Sequence, residues 1–276
     1  MYTLNCKGRL LVIEKPVVMG ILNITPDSFY SGSRVQQLDE ILSKAEQMIN
    51  EGAAILDIGG QSTKPGSDRL SAEEELQRVL SAIQQIKEKF PDTFISIDTY
   101  HSTVAKEAVA AGADMVNDIS AGEMDKQMIS TVAALHVPYI AMHMKGTPET
   151  MQQKPAYEDV AKEVIEYFIH KLNECKQAGI TDSIIDPGFG FGKTIQHNFQ
   201  LLKKLEAFQI FHVPVLAGLS RKSTIWKTLN TTPEEALNGT TVLNTIALTK
   251  GASILRAHDV KEAVEAIQLH QAIINA

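Results

Sequence analysis

The chain has 276 residues, of which 44% are hydrophobic and 21% are charged, and its formal net charge is −7. This length suffices for one large hydrophobic core or two small ones. The acidic balance excludes a broad basic surface of the kind that attracts nucleic acid or an anionic membrane. An anionic ligand would therefore need local cations and backbone amides.

The N-terminal segment and the cysteines favour a reduced, cytoplasmic location. Residues 1–16 interrupt their apolar positions with charges and lack the core of a signal peptide. No apolar run approaches the roughly 20 residues of a membrane span. Cys6 and Cys175 are far apart and form no CxxC motif. We interpret both as buried small hydrophobic residues in a soluble protein that is not exported.

In chain order, residues 1–16 predict a short β-hairpin, after which a short apolar run followed by an amphipathic helix is repeated. The runs are apolar on both faces, as buried parallel strands are. They are 17–23, 54–59, 94–98, 114–118, 138–143, 183–188, 213–218 and 252–257. Eight units in about 250 residues predict an α/β fold, a (β/α)8 TIM barrel with an N-terminal hairpin, as one domain over 1–276. The alternative is a doubly wound sheet, which would need fewer strands and a GxGxxG motif that the first βα turn lacks.

Helix boundaries carry recognisable signals. Ser71 and Glu74 predict a capping box, and Asp259 with Glu262 predicts a second one. A helix over 102–111 is predicted to end at a left-handed glycine that follows it.

The carboxyl ends of all the predicted strands are polar. They carry Asn23, the 59–64 segment, Asp98, Asn117 with Asp118, His143, Asp186, 220–222, and Arg256 with His258. TIM barrels place their chemistry at this end. Any single Asp or Asn here is as easily a helix cap as a functional residue, but the whole set on one face predicts a site.

This set is chemically mixed. Hydrogen bonds from a ring with N–H groups could be accepted by Asp98, Asn117 and Asp186. An anion could be bound by Lys64, Lys222, Arg256 and His258. The alternatives are that Lys222 is a solvated helix N-terminus, which the helix dipole disfavours, and that His258 only neighbours a cap.

Three loops rich in Gly, Ser and Pro, 25–34, 61–69 and 188–194, predict mobile segments that close over a substrate. Taken alone, "GFGFG" is equally consistent with a flexible turn. Zinc-type ligand spacing is absent, whereas Mg²⁺ shared with phosphates is compatible because it uses few protein ligands.

Eight segments in order, spanning nearly the whole chain, resemble the signatures of the bacterial dihydropteroate synthase family. They are "GILNITPDSF", "DIGGQSTKPG", "SIDT", "VNDIS", "HMKGTP", "DPGFGFGK", "GLSRKS" and "RAHDV". The resemblance implies the condensation of 6-hydroxymethyl-7,8-dihydropterin pyrophosphate with 4-aminobenzoate in folate synthesis, by a dissociative displacement. It also implies a sulfonamide target and a homodimer, formed through the last helices.

The resemblance also implies a role for each matched residue. The pterin would be held by Asp98, Asn117, Asp186 and Lys222. Pyrophosphate would be bound by Asn23, Lys64, Arg256 and His258, with Asn23 as the ligand of Mg²⁺. The 4-aminobenzoate pocket would be lined by Thr63, Pro65, Phe191, Ser223 and Phe29. The catalytic charges would be Asp98, Lys222, Arg256 and Lys64.

Three positions depart from the family pattern: Lys64 replaces the usual Arg, Gln61 the usual Glu, and Ser33 the usual Gly. The positive charge at Lys64 survives, so we expect activity to survive. Two alternatives stay open. A methyltransferase acting on methyltetrahydrofolate would not need Lys64, Arg256 and His258, and a non-catalytic pterin-binding paralogue would explain the departures.

Overall fold

The computed structural model describes residues 1–24, 34–61, 69–148, 150–151 and 155–276, except for the side chains of 34–36. The strands are β1 (Tyr2–Cys6), β2 (Arg9–Ile13), β3 (Val17–Asn23), β4 (Ile55–Gly59), β5 (Phe94–Asp98), β6 (Met115–Asp118), β7 (Tyr139–Met142), β8 (Ser183–Asp186), β9 (Leu216–Ala217) and β10 (Ile254–Ala257). The α-helices are α1 (Arg34–Asn50), α2 (Ala72–Lys89), α3 (Ser102–Ala111), α4 (Met128–Leu135), α5 (Val160–Ala178), α6 (Ile195–Lys203), α7 (Ser223–Leu229), α8 (Leu237–Thr249) and α9 (Val260–Ile274). A 3₁₀ helix covers Leu205–Phe211.

Strands β3 to β10 form one parallel sheet that rolls into a barrel. Their order is β8-β7-β6-β5-β4-β3-β10-β9, and the two outer strands meet at a single parallel bridge between Ile185 and Val215. This arrangement confirms the predicted TIM barrel and excludes the doubly wound sheet.

Strand β9 is shorter than the predicted run 213–218. The run contains Pro214, which has no N–H to give to a ladder. Its carbonyl still accepts a hydrogen bond from Ile185 N at 3.1 Å, but the regular strand begins only at Leu216.

The predicted hairpin forms and closes the amino-terminal end of the barrel. Strands β1 and β2 pair antiparallel, and their turn at Lys7 and Gly8 has positive φ angles of 53° and 87°, which suit a hairpin turn. The inner face of the hairpin packs on the amino-terminal parts of the strands through Leu4, Cys6, Leu11, Ile13, Met19, Ile55, Met115, Ile140, Ile184, Leu216 and Ile254. The opposite end of the barrel is left for a site.

Two of the predicted helix signals are confirmed and one is wrong. Ser71 Oγ accepts a hydrogen bond from Glu74 N at 3.2 Å while Ser71 N donates to the Glu74 carboxylate at 2.9 Å, and α3 ends at a glycine with φ of 125°. Asp259 makes no side-chain cap, because its carboxylate forms a two-point ion pair with Arg221, at 2.8 and 2.9 Å. Within the described ranges, no helix combines the length and the apolar character that a bilayer span requires.

Candidate functional site

One guanidinium, from β10, joins two carboxylates, one from the middle of β4 and one from the end of β5. Arg256 Nε donates to Asp57 Oδ2 at 2.6 Å, and a terminal nitrogen of the same group donates to Asp98 Oδ2 at 2.6 Å. Burial raises the pKa of Asp98, and the Arg256 charge opposes that shift. The prediction placed Arg256 among phosphate ligands, whereas its side chain here lies on the same carboxylate that was predicted to hold the pterin.

Asp57 is a site residue that the sequence analysis did not identify. It is fully buried, accepts a hydrogen bond from Asn117 Nδ2 at 3.0 Å, and keeps Oδ1 without a partner among the described residues. Asp57 lies two residues before the end of β4, inside an apolar run. Only polar residues at strand ends were considered from the sequence, so Asp57 was not selected. A lone carboxylate in an otherwise apolar buried strand was the available signal, because such groups are rarely buried unless they are paired.

Asp186 and Lys222 form the second polar pair. Asp186 ends β8, accepts a hydrogen bond from Gly188 N at 2.7 Å, and is 5% exposed. A Cβ built on Gly218 would lie 3.7 Å from both Asp186 Oδ2 and Lys222 Nζ, so the two charged groups converge over this glycine. Burial raises the pKa of Asp186, and the Lys222 ammonium opposes the rise.

Lys222 is not a solvated residue at a helix N-terminus, which was the alternative to an anion-binding role. Although it precedes α7, its Nζ donates to the carbonyl of Phe189 and lies 4.7 Å from the centre of the Phe191 ring. Burial lowers the pKa of Lys222 to about 8, despite the nearby carboxylate of Asp186.

Asn23 lies beside the first pair, at the end of β3. A Cβ on Gly59 would lie 3.6 Å from Asn23 Oδ1 and 3.7 Å from Asp98 Oδ2, so a glycine keeps the space between these oxygens open. In the part of the chain that the structure describes, no group of three or more acidic, histidine or cysteine side chains could hold a metal ion. An amide oxygen such as Asn23 Oδ1 is nevertheless a ligand type that Mg²⁺ accepts, and Mg²⁺ needs few protein ligands.

His258 lies at the rim. Its Nδ1 is 3.0 Å from Ser220 Oγ, which also accepts a hydrogen bond from the backbone N–H of His258 at 3.2 Å. The protein around the ring and the nearby Arg256 guanidinium both lower the pKa of His258. The lowered pKa favours the neutral imidazole.

Two of the polar strand ends serve the fold instead. The Asp118 carboxylate accepts hydrogen bonds from Ser120, from the backbone N–H of Gly122 and from the Tyr139 hydroxyl, so it shapes the loop after β6. His143 contacts a buried lysine, Lys193, through Nδ1 at 2.9 Å.

Several predicted residues lie outside the described residues: Phe29, Ser33, Thr63, Lys64 and Pro65. Residues 25–33 and 62–68 also lie outside the described residues. They make up most of the loops 25–34 and 61–69, which were expected to close over a substrate. Of the predicted 4-aminobenzoate pocket, Phe191 lies next to Lys222, and Ser223 follows it as the first residue of α7.

Gln61 borders the 62–68 segment and is buried. Its Oε1 accepts hydrogen bonds from the Tyr100 hydroxyl at 3.0 Å and from Leu70 N at 3.3 Å. Both bonds use only an acceptor oxygen, which a Glu carboxylate would supply equally. The departure from Glu at this position therefore keeps the local geometry.

In the segment 188–194, whose mobility stays a prediction, two glycines allow close packing against the neighbouring loop. Gly188 and Gly192 have φ of 71° and 62°, and a Cβ there would meet His143 O at 1.9 Å and Lys145 O at 2.2 Å. The glycines thus let this loop lie directly against the backbone of the neighbouring loop, where hydrogen bonds hold it.

Comparison with known proteins agrees with this geometry. The chain matches the pterin binding enzyme family over residues 19–258. Dihydropteroate synthase of Escherichia coli (strain K12) is 44% identical over 275 residues, covering 99% of this chain and 97% of the relative. The crystal structure of Yersinia pestis dihydropteroate synthase with a sulfonamide drug complex has a TM-score of 0.94 at 40% identity and covers 100% of both chains. Dihydropteroate synthase of Xanthomonas albilineans with 4-aminobenzoic acid has a TM-score of 0.93 at 39% identity, covering 99% of this chain and 98% of that one.

Proposed function

Because the chain belongs to the pterin-binding enzymes, and within them to the dihydropteroate synthase family, we propose roles for its residues in that reaction. The chain is a transferase of folate synthesis. It joins 6-hydroxymethyl-7,8-dihydropterin pyrophosphate to 4-aminobenzoate, and the products are 7,8-dihydropteroate and pyrophosphate. The observation that supports the roles best is the convergence of buried, oppositely charged groups over Gly59 and Gly218.

The pterin lies between two charged groups. One consists of Asp57, Asp98 and Arg256, and the other of Asp186 and Lys222. Asp186 accepts hydrogen bonds from the guanidine-like edge of the ring, and Lys222 donates to the ring on the same side. Asp98 and Asn117 meet the opposite edge, and Asp57 Oδ1 offers a further buried acceptor, unpartnered among the described residues. A buried acceptor without a donor is costly, so a ligand N–H that reaches it contributes to binding.

The chemistry is a dissociative displacement. The C–O bond to pyrophosphate breaks first, and positive charge develops on the pterin and its exocyclic carbon. Asp98 stabilises this charge across a short distance in a site of low dielectric. The neutral amine of 4-aminobenzoate then attacks the carbon and loses a proton, so the chain needs no nucleophilic side chain.

Pyrophosphate binds at the rim near Asn23, His258 and Lys64. Asn23 Oδ1 would hold Mg²⁺, which would supply positive charge to the departing phosphate oxygens. The guanidinium of Arg256 is held in place by the carboxylates of Asp57 and Asp98. It serves both the pyrophosphate and the pterin as a fixed positive charge.

The 4-aminobenzoate pocket includes Phe191 and Ser223, completed by Thr63, Pro65 and Phe29. The related Xanthomonas structure contains 4-aminobenzoic acid, and the Yersinia structure contains a sulfonamide drug complex. We therefore assign sulfonamide inhibition to this chain as well.

Asp186→Ala tests the pterin site. Titration with a hydroxymethyl pterin that lacks pyrophosphate should show binding lost, since deletion leaves the donors of the ring unpaired, a cost of roughly 1–3 kcal/mol or more. Unchanged affinity would remove Asp186 from the site. Release of pyrophosphate from the two substrates then separates a working synthase from a paralogue that only binds pterin.

The chain also forms a homodimer through α8 and α9. These helices pack on one another and expose large apolar side chains one helical turn apart, at Val242 and Ile246 on α8 and at Leu269 and Ile273 on α9. Exposed apolar residues on two packed helices support an interface here, since contiguous apolar patches mark interaction sites. Cys6 and Cys175 are free thiols and buried, which suits a reducing cytoplasm.

A further inference from the structure

Lys193 is a buried lysine that the proposed reaction does not use. Its side chain is 2% exposed. An ammonium group out of water is costly unless its donors are satisfied, and burial lowers the pKa of Lys193 well below its ordinary value. It precedes the N-cap residue of α6, in the loop next to the site.

The Lys193 ammonium holds the loop after β8 from inside. Nζ donates to the carbonyl oxygens of Gly188 at 2.9 Å and Phe191 at 3.1 Å. It also contacts His143 Nδ1 at 2.9 Å and His143 O at 3.4 Å. The acceptors around Nζ match the donors of an ammonium, and His143 then accepts at Nδ1. Burial and the lysine charge both lower the pKa of this imidazole. The ammonium therefore joins the loops after β7 and β8.

Neighbouring groups fix the rest of the same loop. Gly190 N donates to Asn198 Oδ1 at 2.7 Å, and the Tyr157 hydroxyl donates to Gly192 O at 2.9 Å. Two loop residues then face the pterin site: the Phe189 carbonyl accepts from Lys222 Nζ, and the Phe191 ring lies below the same ammonium. A chain of direct contacts thus leads from Lys193 to Lys222.

We propose that Lys193 is a positioning residue, whose ammonium holds the loop 188–193 so that Phe189 and Phe191 keep Lys222 beside Asp186. This proposal rests on the proposed function, because it takes Lys222 and Asp186 as pterin ligands. Lys193 touches neither substrate and acts through Lys222.

The test is a double-mutant cycle on pterin affinity. Lys193→Met keeps most of the apolar stem and removes the charge. It should weaken binding of a hydroxymethyl pterin by about tenfold, as loss of a supporting contact does. In a Lys222→Met background the same change should cost less than about twofold, because the residue through which it acts is gone. Equal losses in both backgrounds, or no loss in either, would overturn the proposal.

A matched control separates positioning from loss of stability. Lys171 in α5 is also a buried lysine, at 8% exposure, and its Nζ pairs with Glu174 at 2.8 Å away from the loop. Lys171→Met should lower thermal stability and leave pterin affinity unchanged. If it weakens the pterin as much as Lys193→Met does, the effect is general destabilisation and the proposal fails.

Two further variants complete the design. If Lys193→Met does not fold, Asn198→Ala loosens the same loop at Gly190 and should show the same coupling to Lys222→Met. A loss of affinity that is not coupled to Lys222 would contradict the proposal.

Asp186→Ala distinguishes failure of the proposed pterin site from failure of the proposed role of Lys193. Unchanged affinity in Asp186→Ala overturns the pterin site itself, whereas loss in Asp186→Ala without loss in Lys193→Met overturns only the role of Lys193.

Discussion

At the scale of single residues, the charge of Lys222 depends on the protein around it. Its ammonium is held by a carbonyl and an aromatic ring, and the charged groups near it are Asp186, Asp98 and Arg256. Burial lowers its pKa to about 8, within the range where enzymes are assayed. Its charged form is the one that can donate to a ligand, so binding should depend on pH.

We expect pterin affinity of the free enzyme to fall as pH rises above about 8. A lysine with a lowered pKa is protonated below that value and loses its charge above it, so Kd should rise by up to about tenfold per pH unit for one proton. Calorimetry between pH 7 and 10 measures this. Lys222→Arg keeps its charge over the whole range and should lose the alkaline fall. If the fall persists in that variant, another group is responsible.

Glu75 gives a second pH dependence, in stability. It is 1% exposed, Oε2 accepts from Thr99 Oγ1 at 3.0 Å, and Oε1 has no partner among the described residues. Burial raises the pKa of Glu75 to about 8. The folded state thus keeps a proton that the unfolded state releases above about pH 4.5. Stability contributed by this group is therefore present at low pH and is lost as pH rises toward 8.

Glu75→Gln should remove this loss. We expect little difference from the parent near pH 5 and a gain on the order of 2 kcal/mol near pH 8, because Gln remains neutral and can still accept from Thr99. Urea unfolding at the two pH values measures the change. Glu73→Gln, on the exposed side of the same helix turn, should show no such gain. An equal gain at both pH values would mean that ionisation of Glu75 is not the cause.

At the scale of elements, local signals are reliable where no distant partner competes. Ser71 and Glu74 cap α2 as their spacing predicts, since both lie on the surface and the bond partners are within one turn. Asp259 has the same local pattern, but Arg221, 38 residues away in sequence, takes its carboxylate. A capping pattern cannot reveal a partner that arrives only with the fold, and for the same reason the composition of 188–193 did not reveal that Lys193 donates to the carbonyl oxygens of this loop.

Ser71→Ala should lower the free energy of unfolding by about 1 kcal/mol, because one backbone N–H at the start of α2 loses its acceptor. Ser71→Asp should stay near the parent value, since a carboxylate also accepts at this position. Chemical denaturation measures both. If Ser71→Ala leaves the free energy of unfolding unchanged, the capping box contributes nothing to stability.

At the scale of the whole molecule, the sequence predicts the barrel because alternating strands and helices of this number fit few other architectures. It also predicts that polar side chains such as Asp98 and Arg256, from separate strand ends, come together. It does not predict that Asp57, from mid-strand, would join Arg256 and Asp98, because that triad requires the register of three separate strands. Closure by the single bridge Ile185–Val215 depends equally on the complete barrel.

The apolar face of α8 and α9 gives a prediction at the same scale. Leu269→Glu combined with Ile273→Glu should convert a dimer to a monomer, because two charges on each copy would have to be buried at the interface. Sedimentation or light scattering measures the mass. Ile169→Glu changes another exposed apolar residue, on α5, and should leave the mass unchanged. A dimer that survives the double change would place the interface elsewhere.

The hairpin that closes the barrel has a kinetic consequence. Its inner face contacts strands as far along the chain as Ile254, so the stretch nearest the N-terminus can dock only after the barrel has assembled. It should also be able to undock while the barrel stays folded. Cys6 reports this opening, since its thiol is 1% exposed and burial raises its pKa to about 12. A thiol reagent should therefore label Cys6 faster than Cys175, which α5 buries in the main core, whereas equal rates would mean that hairpin and barrel open as one unit.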